Sequence, residues 1–201
     1  MEHRIAHQPD AAAQASDVTP VGWRDLRDWL SLIEAHGLLQ RINCPVDPDE
    51  EVAAITFMAT RREDTPALLF ENPLGGQTGA KVLTNMLGSS KERYAVAVGL
   101  APDLSISELI AQTRLLMNRR LAPVRIAKAK VPVNEIVLRD NEIDLTAYPA
   151  PKFWPGDGGR YIGTAGITLT AHPDSGRINV GVYRQMLHGP PVSTARREST
   201  A

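Results

Sequence analysis

Across residues 22–120 the apolar side chains keep switching between a helical spacing of three to four and a strand spacing of two, and this limits the architecture more than any other feature. "VGWRDLRDWLSLIEAHG" puts Trp23, Leu26, Trp29, Leu30 and Ile33 on one helical face, with Gly37 as a natural C-terminal stop. "LLQRIN" (38–43) alternates and predicts a short strand. In "VDPDEEVAAITFMATRRED", Asp47 is placed to cap a helix, Pro48 to take its first position and Glu50 to complete a capping box, with Val52, Ile55 and Met58 as the buried stripe. "ALLFEN" (67–72) and "KVLTNML" (81–87) predict adjacent strands joined by the turn-rich "PLGGQTGA". Ser89 or Ser90 can cap a helix through "KERYAVAVGL", and Ile106, Leu109, Ile110 and Leu116 form one more helical stripe. Helices alternating with strands predict an α/β layer domain over residues 22–122.

The texture then changes. Pro123 and Pro132 bracket "VRIAKAKV", a connector that puts a boundary near 121–135. Of the 15 glycines, 8 lie in residues 151–201, so the region beyond the boundary is shaped by its backbone. "EIVLRDNEIDL" predicts two short extended pieces about an Asp140–Asn141 turn, and the loop "YPAPKFWPGDGGR" follows. "YIGTAGITLT" and "RINVGVYRQML" predict the long strands of a β-hairpin, joined by the turn formers of "AHPDSG". Residues 123–190 thus form a second region, with a disordered N-terminus at 1–21 and an unstructured tail at 191–201.

Composition removes several classes of function. The 22 Lys and Arg nearly balance the 23 Asp and Glu, which argues against nucleic acid or an anionic membrane as partner and favours a small molecule. No apolar run approaches the roughly 18 residues of a membrane span, and the N-terminus lacks the apolar core of a secretory signal. A single Cys44 excludes an internal disulfide and a thiolate metal cluster, which fits a reducing, cytoplasmic setting; Cys44 itself reads as a semi-buried packing residue. His3 and His7 are four residues apart on a frayed end, where solvation is the ordinary outcome.

Few residues carry chemistry by themselves. "GDGGRYIGT" can present backbone N–H groups to an anion, yet its spacing is neither the dinucleotide fingerprint nor a phosphate-binding P-loop, and a plain flexible loop is the simpler reading. Asn179 and Arg184 are unusual in a strand: either one face of it meets something polar, or both side chains look into solvent. A one-residue slip would reverse the outward positions among Val180, Val182 and Arg184, and the sequence alone leaves both registers open. His172 and His188 form no metal-binding pair, Asp140, Glu142 and Asp144 crowd a turn where acidic groups stay solvated, and Trp154 serves equally as pocket wall or core. No motif supplies a serine or cysteine nucleophile.

The run "LTAYPAPKFWPGDGGRYIGTAGITLTAHPDSGRINVGVYRQMLHGP" closely resembles the UbiD family of reversible aromatic and α,β-unsaturated acid decarboxylases, which use prenylated FMN. "DLRDWLSLIEAHGLLQRI", "ALLFENPLGG" and "VLTNMLGSSKERYAVAVGL" look like the N-terminal domain of the same family. The resemblance implies an N-terminal α/β domain followed by the first strands of a flavin-binding split β-barrel. By motif position it implies that Asn179 ligates a divalent metal, usually manganese with potassium as a further candidate, and that Arg184 lies beside the flavin, helps place the substrate carboxylate and pairs with catalytic glutamates. Thr164 matches a position near the cofactor, and Val182 one lining the ring pocket. It further implies a carboxylic acid substrate, a flavin prenyltransferase as cofactor supplier, and a homo-oligomeric full-length enzyme. The family pattern stops at "LHGP", so the expectation is a truncated or frame-shifted form without the catalytic glutamates. The rival expectations are a non-catalytic assembly module of the same family and, more distantly, a nucleotide-phosphate binder using "GDGGR".

Overall fold

The computed structural model describes residues 21–76, 79–88, 90–119, 127, 132–164 and 166–188. The expected disordered N-terminus with His3 and His7, most of the connector and the tail at 191–201 lie outside them. In the first region α1 (Leu26–Ala35) starts where the Asp25 carboxylate accepts from the Arg27 and Asp28 N–H groups, and it ends at Gly37, whose φ of 70° only glycine adopts freely. Trp29 and Ile33 are its buried face, whereas Leu26 in the first turn is half-exposed.

Strand β1 (Leu39–Val46) runs parallel to β2 (Ala67–Pro73), from Leu39 opposite Ala67 to Ile42 opposite Phe70. The register then shifts before Pro45, which has no N–H to give to the ladder. Cys44 lies in this shift on an edge strand, so it is exposed rather than semi-buried. Helix α2 (Glu51–Thr60) is the crossover between the two strands. Its start departs from the expected cap: the Asp47 carboxylate is occupied by the Asp49 N–H (2.8 Å), and it is Glu51, not Glu50, that reaches back to the Asp47 N–H (2.7 Å). Glu50 takes a left-handed φ of 70° and contributes no side-chain cap. The buried stripe is Val52 with Ile55 and Ala59, while Met58 points into solvent at 70% exposure.

Strand β3 (Val82–Thr84) pairs antiparallel with β2, giving the order β1-β2-β3. It stops earlier than its apolar run suggests because Asn85 turns left-handed (φ 50°) and donates its amide to the Pro66 carbonyl at 2.9 Å. Helix α3 (Lys91–Ala97) is capped by Ser90, and α4 (Ile106–Met117) by a reciprocal Ser105–Glu108 box. Successive residues of β2 face opposite sides of the sheet. Leu68 and Phe70 join Val46, Val52 and Val82 on the α2 side, and Ala67 joins Trp29, Ile33 and Val96 on the α1 and α3 side. The first region is therefore a helix–sheet–helix sandwich, as the alternating pattern predicts. Of the expected α4 stripe only Leu109 is buried; Ile106 and Ile110 line an open groove beside α3.

Among its described residues the second region has no comparable core. The pieces expected to be extended about Asp140 instead form isolated helical turns at Pro132–Asn134, Asp140–Glu142 and Leu145–Ala147. Local bonds hold the last two, from the Arg139 N–H to Glu142 (3.0 Å) and from the Thr146 N–H to Asp144 (2.9 Å), and these compete with any strand pairing. The two long strands of the expected hairpin are each cut in two. Strand β5 (Ile167–Ala171) pairs with β6 (Ile178–Val182), and β4 (Tyr161–Gly163) with β7 (Gln185–Met186), all antiparallel. The turn between β5 and β6 closes on Gly176 at φ 66°. The His172 ring nitrogen accepts there from the Asp174 and Ser175 N–H groups at 3.2 and 3.3 Å.

The regions are joined through Lys152. Its N–H donates to the Pro48 carbonyl (2.9 Å), its carbonyl accepts from the Glu50 N–H (3.0 Å), and its ammonium bonds the Glu50 carboxylate at 2.7 Å. That carboxylate raises the Lys152 pKa above its ordinary value. Two residues on, Trp154 meets Phe57 of α2 edge to face, with ring centroids 5.8 Å apart.

Candidate functional site

The break between β6 and β7 is where Arg184 sits, so the arginine that looks out of place in a strand is in fact between two strands. Its guanidinium lies over the Tyr161 ring, 4.8 Å from the centroid, and its Nη1 is 3.7 Å from the Asp157 Oδ1. Tyr161 opens β4 and Asp157 belongs to the loop before it, so the β4–β7 pairing carries Arg184 back onto the "FWPGDGGRY" segment. Phe153, Trp154, Asp157, Tyr161, Thr164 and Arg184 line an open cavity of about 220 Å³. A second, of about 280 Å³, shares Phe153, Tyr161 and Thr164 and extends to Lys81 and Thr84 at the β3 edge.

Of the glycines in "GDGG", Gly158 has the clearest packing reason, with Gly159 next to the same side chain and Gly156 in open space. A Cβ on Gly158 would lie 3.3 Å from the Met186 sulfur, tighter than an ordinary contact, so its absence lets β7 lie close against the loop; at Gly159 the distance would be an ordinary 3.5 Å. The loop itself is closed by the Asp157 N–H on the Trp154 carbonyl (2.9 Å) and by the Trp154 N–H on Asp157 Oδ2 (3.2 Å).

Pairing of β5 with β6 fixes the register that the sequence leaves open. Asn179 stands opposite Thr170 on one face; Val182, Val180 and Ile178 stand opposite Ile167, Leu169 and Ala171 on the other. Thr164 and Arg184 thus share a cavity, whereas Asn179 lines a separate cleft with Thr170, His172 and Arg177, and Val182 lies on the exposed apolar face. Among the described residues no three His, Cys, Asp or Glu side chains converge. Asn179 offers one amide oxygen and Thr170 a hydroxyl, part of the six or more oxygens that a hard cation gathers, with the Arg177 cation on the same cleft. For a flavin the fit is better but also partial: aromatic side chains, a hydroxyl and a guanidinium border the joined cavities, which suit one side of a flat conjugated ring.

Sequence reasoning misses Asp157, Tyr161 and Phe153 as site residues. A signal for Asp157 exists in the turn sequence "WPGD", but a turn-forming aspartate is too common to single out. Tyr161 becomes notable only when the ribbon brings position 184 back over position 161.

Two family models match the chain: the 3-octaprenyl-4-hydroxybenzoate carboxy-lyase N-terminal domain over residues 30–113 and the 3-octaprenyl-4-hydroxybenzoate carboxy-lyase Rift-related domain over residues 124–199. Among solved structures, the closed form of the vanillic acid decarboxylase of Sedimentibacter hydroxybenzoicus aligns over 83% of this chain and 36% of its own, with 29% identity and a TM-score of 0.73. An evolved dimeric form of the UbiD-class enzyme HmfF of Pelotomaculum thermopropionicum, in complex with prFMN, aligns over 79% of this chain and 34% of its own, at 33% identity and a TM-score of 0.62. The 3,4-dihydroxybenzoic acid decarboxylase AroY of Klebsiella pneumoniae aligns over 87% of this chain and 38% of its own, at 26% identity and a TM-score of 0.71. The chain spans little more than a third of the length of these structures. Among the described residues no helix is long and apolar enough to cross a membrane.

Proposed function

We propose, for a chain that belongs to the UbiD family of carboxy-lyases, that it contributes the N-terminal domain and one wall of the cofactor site to non-oxidative, reversible decarboxylation of an aromatic or α,β-unsaturated carboxylic acid. The observation that carries the proposal is Arg184, stacked on Tyr161 in a cavity that Thr164 also lines. A guanidinium presents a planar fork of N–H donors that matches a carboxylate bidentately, and a bound acid is thereby held with its carboxyl carbon in one place. Tyr161, Phe153 and Trp154 give the conjugated part of such an acid, or a flavin ring, an apolar surface that sheds water.

Prenylated FMN is the cofactor proposed here; when bound, it supplies the electron sink that accepts the pair left by departing carbon dioxide. Thr164 would stand against the flavin and Val182 beside its ring, and Asn179 would give one oxygen to a manganese ion, or to potassium. A flavin prenyltransferase supplies the cofactor, and the assembled enzyme is a homo-oligomer. The exposed apolar face of the β5–β6 ribbon favours one alternative, an assembly module of the family that carries no cofactor of its own.

Co-expression of the chain with a flavin prenyltransferase, in manganese-supplemented medium, tests the proposal. The expected result is a purified protein with flavin absorbance that Arg184→Ala diminishes. A folded, colourless protein would overturn the cofactor site and leave the assembly module standing.

A further inference from the structure

Arg184 is an exposed side chain, 63% accessible, on a two-residue break between strands, and long side chains in such places sample many rotamers. Here the guanidinium is confined. The Tyr161 ring lies beneath it and the Asp157 carboxylate beside it, and Asp157 is only 14% exposed. Asp157 is itself fixed twice by the Trp154–Asp157 turn, once through its own N–H and once through Oδ2. The turn therefore consumes one carboxylate oxygen and presents the other, Oδ1, to Arg184. At 3.7 Å this is an ion pair rather than a hydrogen bond, so the carboxylate holds the cation by charge without taking its N–H donors. Among the described residues the guanidinium donates no hydrogen bond.

We propose that Asp157 is the positioning residue of Arg184: the "WPGD" turn fixes a carboxylate that holds the guanidinium over Tyr161, where a carboxylate ligand can meet it. The proposal rests on the reading of Arg184 as the carboxylate-binding group. An arginine without such a partner would lose more rotamer entropy on binding; the ion pair lowers that cost. Asp157 acts through Arg184 and touches no reacting atom.

The test uses the full 201-residue chain and benzoate as probe, followed by the fluorescence of Trp154, which lines the same cavity; Trp154→Phe identifies its share of the signal. Benzoate binding is expected to weaken about fivefold in Asp157→Asn, to recover in Asp157→Glu, and to vanish in Arg184→Met, with the urea midpoint unchanged in all three. Unchanged affinity in Asp157→Asn overturns the positioning role while leaving Arg184 as the binding group. If benzoate binds equally with and without Arg184, or not at all, the reading of the site fails instead. The positioning role is then decided without ligand by NMR relaxation of the Arg184 Nε–Hε group: greater mobility in Asp157→Asn supports it, and equal mobility overturns it.

Discussion

Strands β2 and β6 both carry bulky apolar side chains, Leu68, Leu69 and Phe70 in one and Ile178, Val180 and Val182 in the other, yet they meet opposite fates. Residues 67–70 of β2 are buried on both faces, because α2 covers one side of the sheet and α1 with α3 the other. In the β5–β6 ribbon, Ile167, Leu169, Ile178, Val180 and Val182 share one face and are each 62–70% exposed. Apolar content therefore does not decide burial; the elements on either side do. The first region is stabilised by its own core, while the second holds its shape through turns, short ladders and the attachment at Lys152. An aliphatic face of this kind ordinarily marks a surface made for contact.

Substitutions that break this contrast should fall in a definite order. Phe70→Ala empties the centre of the first core and should cost about 3–5 kcal/mol in urea unfolding. Gly99→Ala comes next, at about 1–3 kcal/mol, because Gly99 has a φ of 73° and an added Cβ would lie 2.8 Å from the Val21 Cα. Ser105→Ala removes the α4 capping box and should cost about 1 kcal/mol, again by urea unfolding. Val180→Ala, in the ribbon, should change the same midpoint by less than about 0.5 kcal/mol. A ribbon substitution as costly as Phe70→Ala would mean that the ribbon is covered in solution. Leu169→Lys with Val180→Glu, opposite charges on a cross-strand pair, sharpens the point: folding stability should hold, while any concentration-dependent association seen by sedimentation should fall.

Acid should also separate the regions. Lys81 and Arg41 hold the Glu71 carboxyl on β2 below its ordinary pKa. A carboxylate with a depressed folded pKa adds stability above its unfolded value, about 4.3, and that contribution is lost as pH falls through the lower folded value. Glu71→Gln should flatten the decline of the urea midpoint over that acid range, and an unchanged decline would exclude this network as its source.

Much of the first region is legible in its sequence because its signals are local. Gly37 ends α1 and Ser90 opens α3 by bonds that reach only a few residues. Local rules mislead where two local bonds compete, as at Asp47, whose carboxylate closes a turn and leaves Glu51 to close the helix start. They are silent on what lies across a face, so Met58 and Ile106 read as core and emerge exposed. In the candidate site, Thr164 and Arg184 are legible through a long motif, and the structure gives them a common cavity. The breaks that cut each expected strand in two, and the contact of Arg184 with Tyr161, depend on pairing across more than twenty residues and carry no nearby signal.

Because Lys152 is bonded at both backbone and side chain to the start of α2, and Trp154 rests on Phe57 of that helix, the cavity wall is anchored in a neighbour's framework. The ribbon is consequently not a portable cassette. Grafted onto a foreign scaffold without α2, it would keep its strands and forfeit the setting of the loop that gives Arg184 its place.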